Sequence, residues 1–316
     1  MQAKTVSVGP VTAAVTNQIA ASQSPEPGQV VLNGAGATFS INNIATSQDP
    51  AGAGNLTLTA TVVSFSSPRY VYITSASNDT AITFTVTGTD VNGQPLTEAI
   101  TGANTKAKSS VNRFTSVSNV AVSGNSGSVQ VGSFAGATFT GSTARQVTIT
   151  SGGSNEANKT FTVTGTNVMG ALQTESLAGP GPAATVTTTS YFLTVTSVTV
   201  SEGTTGAITV GMTNTASSPW VRFDDFAPSN ISIQCSVSGS ATYTVQSSLD
   251  DPNDPFSPVA SSAMVWVNTS DTAVVAATTT QQSNFLFAPK FARVILTTTS
   301  TGSVSTTMLQ SSNGPI

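Results

Sequence analysis

Ile82-Thr83-Phe84-Thr85-Val86-Thr87-Gly88-Thr89-Asp90-Val91 returns 77 positions later as Lys159-Thr160-Phe161-Thr162-Val163-Thr164-Gly165-Thr166-Asn167-Val168. Both copies alternate apolar and polar side chains with a period of two, the pattern of a half-buried strand. The correspondence runs on. Gly93, Thr97, Glu98 and Gly102 match Gly170, Thr174, Glu175 and Gly179. Phe114-Thr115-Ser116-Val117-Ser118-Asn119-Val120 recurs as Phe192-Leu193-Thr194-Val195-Thr196-Ser197-Val198, now 78 positions on, and Gly132 matches Gly211 at 79. Small insertions between conserved blocks are what a β-module with tolerant loops shows. Two copies of about 70 residues are too few and too long for a stacked solenoid, so each is expected to bury a small core of its own.

Composition supports an all-β chain. Of 316 residues only 8% are charged, while nearly a third are Ser or Thr. Thr and Val suit a pleated, half-buried surface, and no window holds a long amphipathic helix. Disorder is expected of chains poor in apolar residues and high in net charge. Here 38% of residues are hydrophobic and the net charge is −4, which predicts a folded protein. Asn92-Gly93 reads as a two-residue hairpin turn, and Met169 at the matching place weakens that signal in the second copy.

The expected architecture is tandem small β-sandwich, Ig-like modules behind an extended N-terminal segment. Residues 1–66 form an arm or small β segment around Val30-Val31-Leu32 and Leu56 to Val62; 67–142 are the first β-module; 143–217 are the second; 218–316 are a C-terminal β-sandwich domain. Arg69 and Arg145 open the two modules.

Several function classes lose support on residue grounds. The chain contains no His, which removes the common general base, the Ser-His-Asp and Cys-His arrangements and the usual zinc ligands. Glu98 and Glu175, the carboxylates one would pair for hydrolysis, are repeat equivalents in different modules and read as strand-end surface residues. No catalytic, cofactor-binding or metal residue is therefore assigned, and no enzymatic activity is expected. No segment has the basic stripe that nucleic acid demands. Nothing approaches a membrane span, and residues 1–6 lack a signal-peptide core. Cys235 lies on the face of Ile231 and Ile233 and reads as a buried, inert thiol.

Three features bear on binding. Asp250-Asp251-Pro252-Asn253-Asp254 gathers oxygen ligands suited to Ca²⁺, but an Asx-Pro turn is the favoured reading. Asp224-Asp225 after Trp220-Val221-Arg222 reads as a domain join with Arg222 paired to a neighbour; an intersubunit contact is the alternative. Trp220, Trp266, Tyr70 and Tyr72 offer an aromatic platform for a host glycan, with core packing favoured.

Val71-Tyr72-Ile73-Thr74-Ser75 through Phe84 to Glu98, closing on Phe114-Thr115-Ser116-Val117, resembles modules of structural proteins in tailed bacteriophages. Ala241-Thr242-Tyr243-Thr244-Val245-Gln246, followed by the Asp-Pro-Asn-Asp loop and Phe291 to Leu296, is similar to another recurrent phage element. The resemblance covers residues 67–312. It implies a virion structural protein assembled in the host cytoplasm, first of all a capsid decoration (cement) protein. The implied partners are the major capsid protein and further copies of the chain, a homotrimer being expected. A head or tail fibre or tail-associated protein is one alternative, and a bacterial surface adhesin of Ig-like modules is the other.

Overall fold

The computed structural model describes residues 2–11, 13–32, 34, 39–135, 139–227, 230–297 and 302–311. As the period-two pattern requires, the fold is all-β and of sandwich type. Among the described residues the one helical element is the 3₁₀ turn Thr272–Val274.

The duplicated sequence forms duplicated structure. In the first module Thr83–Thr89 lies between Pro95–Thr101 and the second half of Ala107–Val122. The first half of that long strand pairs with Val63–Ser75, which in turn pairs with Val129–Phe134. The sheet thus folds over itself around Phe84, Val86, Phe114, Val117 and Val120. The second module buries the equivalent Phe161, Val163, Phe192, Val195 and Val198. The register slips after Thr87 and after Thr164, at the glycine of each copy. A Cβ on Gly88 would lie 1.9 Å from the Ser116 carbonyl oxygen, and one on Gly165 1.9 Å from that of Thr194, so both bulges require glycine.

The hairpin turn differs from the two-residue form expected. Gly93 N–H donates to the Asp90 carbonyl, Asp90 N–H donates to that of Gln94, and Gly93 takes φ +75°. The turn is held by the Asp90 carboxylate, which accepts from the N–H groups of Asn92 and Gln94. Asn167 accepts in the same way from Met169 and Ala171. Asn92 contributes only its backbone N–H to this lock, which explains why Met169 serves equally well.

The segment before residue 67 does not stand apart. Gln2–Val8 pairs along its whole length with Ser303–Gln310. Val15–Gln23 pairs with Ile208–Ser217 of the second module, and Phe39–Gln48 with Val129–Phe134 of the first. Three cores follow. Val8 and Val11 join the buried residues of the C-terminal domain; Ile19, Ala20, Val30 and Leu32 join the second module; Ile44, Ala45 and Leu56 join the first. The domains are therefore nested rather than strung in tandem. The first module (39–134) is contiguous, sits inside the second (15–34 with 139–217), and both sit inside a terminal domain made of 2–11 and 216–311.

This nesting reveals a further repeat. Asn17-Gln18-Ile19-Ala20-Ala21-Ser22-Gln23-Ser24-Pro25 matches Asn42-Asn43-Ile44-Ala45-Thr46-Ser47-Gln48-Asp49-Pro50, 25 positions apart. The matched glutamines make the same clamp. Gln48 Nε2 donates to the Thr57 carbonyl at 2.7 Å while its Oε1 accepts from Thr57 N–H at 2.8 Å, and Gln23 does so with Val31 at 2.7 and 2.9 Å. Each clamp holds the outer strand to the segment that follows it. Gln48→Ala removes both bonds and is expected to destabilise the first module by about 1–2 kcal/mol, measured by urea unfolding of residues 39–135.

The modules meet at defined joints. Tyr70 stacks on Phe134 at 5.1 Å, and Tyr72 and Phe134 pack with Val31, which belongs to the second module's clamp. Lys106 pairs with Glu26 at 3.6 Å and donates to the Thr204 carbonyl at 2.8 Å. Between the second module and the terminal domain the sheet is continuous, Thr215 to Ser217 pairing with Ile295 to Thr297.

Candidate functional site

Two surfaces concentrate features that the core does not explain: a cleft beside the continuous sheet, and one end of the terminal domain.

The cleft, about 210 Å³, is lined from both sides of the joint. Trp220 comes from the segment that leaves the second module; the buried Ser218 hydroxyl accepts from Val294 N–H while Ser218 N–H donates to the Val294 carbonyl, pinning that segment to Phe291–Thr297. Trp266 lies 5.2 Å from Trp220, and Phe291 meets Trp220 edge-on at 6.4 Å. Arg293 stands on Phe291–Thr297 with its guanidinium 4.2 Å from the centre of Trp266 and 5.2 Å from that of Tyr191. Its Nε donates to Gln246 Oε1 at 2.9 Å, and Gln246 in turn donates to Asn268. Burial pulls the Arg293 pKa down to about 10, with the Tyr191 phenol opposing. Burial raises that of Tyr191, against the opposing pull of Arg293.

From the second module, Gln173 Nε2 donates to the Tyr191 carbonyl at 2.8 Å. Glu175 holds the adjoining loop by accepting from the N–H groups of Thr189 and Ser190 at 2.7 and 2.8 Å. Its repeat equivalent Glu98 does the same for Val111 and Asn112. These two carboxylates are loop staples in separate modules.

Of the four aromatic residues singled out in the sequence, the structure unites Trp220 and Trp266. Tyr70 and Tyr72 lie at the joint between the modules. Tyr191 and Arg293 complete the cleft and were not anticipated. For Tyr191 the sequence signal is a break in the repeat: it stands where the first copy has Arg113, and its partner Gln173 where that copy has Leu96; Arg293 lies outside the repeat and carries no such signal.

The acidic loops are used locally. Asp251 Oδ2 pairs with Arg222 at 2.8 Å and its Oδ1 accepts from Asn253 N–H; Asp250 accepts from Val265 N–H; Asp254 accepts from Phe256 and Ser257. Those last two bonds lower the Asp254 pKa. Asp225 bridges Lys290 at 2.8 Å and Arg222 at 3.5 Å, and the Lys4 ammonium reaches the Arg222 carbonyl. The network ties the loops after Val221–Arg222, after Thr242–Ser248 and before Phe291–Thr297 into one end of the terminal domain. Among the described residues no three acidic or cysteine side chains converge as a metal site would require. Cys235 is fully buried, accepts from the Thr306 hydroxyl, and has its thiol pKa raised by burial.

That knotted end is apolar outside. Phe226 is 91% exposed and Phe256 95%, and Leu249, Leu286 and Phe287 are exposed on the same set of loops. Asp224 links the end to the last strand, its N–H donating to Gln310 Oε1 and its carbonyl accepting from Gln310 Nε2. No helix among the described residues is long and apolar enough to cross a membrane.

No protein-family model matches the chain, and no curated protein matches it. Among solved structures, a chain of the structure of infectious bursal disease virus Gx strain aligns over 93% of this chain and 75% of its own length, at 12% identity and a TM-score of 0.17. A score that low shows no common fold.

Proposed function

We propose that this chain is a non-enzymatic structural protein of a tailed-bacteriophage virion, specifically a capsid decoration protein that seats the apolar end of its terminal domain on neighbouring virion subunits. The observation that carries this reading is the exposure of Phe226 and Phe256 on loops fixed by the Arg222, Asp225, Asp251 and Lys290 network. Apolar side chains held out on a rigid frame mark an interaction surface, because monomeric proteins seldom display such patches without a partner. The partner in this reading is the major capsid protein, and self-association as a homotrimer multiplies a modest single contact into avid attachment.

The test is to add the purified chain to capsids of its phage prepared without it and to image them by cryo-electron microscopy. Density at regular positions over the shell is expected, lost with the double variant Phe226→Ser, Phe256→Ser. Density confined to the portal vertex or tail overturns the decoration reading in favour of a fibre or tail-associated protein. The aromatic cleft beside Arg293 favours that second reading, since fibres carry ligand sites.

A further inference from the structure

We propose that the cleft between the second module and the terminal domain is a binding site for a carboxylate-bearing sugar ring. The reasoning starts from Arg293. Its guanidinium carbon lies over the rings of Trp266 and Tyr191, and its Nε is satisfied by Gln246. Among the described residues no carboxylate forms an ion pair with it, and the hydrogen bond its side chain makes is the one from Nε. Arg293 lines the cavity, and in this reading the remaining N–H donors of its guanidinium form the fork that takes a planar carboxylate in bidentate fashion.

Charge selects among anions. Among the described residues lining the cavity Arg293 alone is charged, which suits a monoanion better than a phosphate dianion. Shape and lining select among monoanions. Trp220 and Trp266 line the cavity and supply apolar surface for the C–H side of a sugar ring, while Ser190, Ser261 and Ser262 line it with polar groups. The volume is below the roughly 300 Å³ at which drug-sized pockets begin, leaving room for one ring of a longer glycan. The break in the repeat sharpens the case. The first module places Arg113 over Tyr70 at 5.0 Å at the position of Tyr191, so the second module has its own residue where the cleft is built.

The test is isothermal titration of the full chain with trigalacturonate and with 3′-sialyllactose, using maltotriose as the neutral control. Saturable binding of at least one acidic sugar is expected, at least tenfold tighter than maltotriose. Arg293→Gln should weaken it by at least tenfold. Because Arg293→Gln also removes contacts at the joint, Ser262→Trp is the second variant: it occupies the mouth of the cleft, leaves Arg293 in place, and should also abolish binding with the melting temperature unchanged. No binding of either acidic sugar at millimolar concentration, equal binding of maltotriose, or full binding by both variants overturns the proposal. A fall in melting temperature on Arg293→Gln without any acidic-sugar binding to the parent chain would show that Arg293 serves the joint alone.

Discussion

A fragment of residues 39–135 is expected to fold by itself, whereas a fragment of 139–217 should stay unfolded until a peptide spanning 13–34 is added. The first module holds all its strands in one stretch, from Phe39–Gln48 to Val129–Phe134. The second does not. Its core includes Ile19, Val30 and Leu32, and its Ile208–Ser217 strand, paired with Phe139–Ser151 on one edge, loses its neighbour on the other without Val15–Gln23. Burying each of those three side chains contributes roughly 1.5–3 kcal/mol. Their sum is comparable with the whole stability of a small domain, about 5–15 kcal/mol. The check is the amide proton spectrum of each fragment. Dispersed peaks should be seen for 39–135 alone, and for 139–217 only after the peptide is added; a dispersed spectrum of 139–217 alone would refute the nested assignment.

Glu156→Ala should be the most damaging single substitution in the second module. Glu156 is 0% exposed, pairs with Lys159 at 2.8 Å, and accepts from Thr205 and Gly206 N–H. Removing one partner of a buried pair strands the other charge and costs about 3–5 kcal/mol. Lys159→Ala is expected to fall in the same range. The first module has Asp79 and Ile82 at these positions, so this pair is private to the second.

The pair also sets a pH dependence. Burial pushes the Glu156 pKa upward, but the Lys159 hydrogen bond and the Gly206 and Thr205 N–H groups outweigh it and leave the carboxyl below its ordinary value. A carboxyl depressed in the folded state lends stability that is fully present above its unfolded pKa of about 4.3 and lost as pH falls through the folded value. The second module should therefore lose stability on acidification through that window. Thermal melts from pH 7 to pH 3 test this, with Glu156→Gln expected to flatten the dependence; an unchanged slope would exclude Glu156 as its source.

The intramodular fold was legible because its signals are local. Alternation around Phe84 and Phe161 gives the buried face, while the bulges at Gly88 and Gly165 emerge only from the slip in strand pairing. The nesting was not legible because Val8 and Val304 share a core across almost the whole chain, and pairing at such separation leaves no periodic trace. One clue lay in plain view, the match of Ile19-Ala20 and Gln23 to Ile44-Ala45 and Gln48, but its 25-residue spacing is shorter than a module and reads as incidental until the partners are known. The cleft was half legible. Trp220 and Trp266 stood out by residue type, while Arg293 sits inside the apolar strand Phe291–Thr297 and gains its meaning only from Tyr191, brought over it from the second module.

The antiparallel pairing of Gln2–Val8 with Ser303–Gln310 fixes how the molecule bears mechanical load. Tension applied at the two ends enters at Gln2 and Gln310, directly opposite each other, and peels the pair one bond at a time instead of shearing it. While the terminal domain holds, the force path closes through that domain and bypasses the two modules enclosed by it. Stretching therefore opens the chain from the outside inward: the terminal domain first, the second module next, and the contiguous first module last, each rupture releasing the slack that shields what remains.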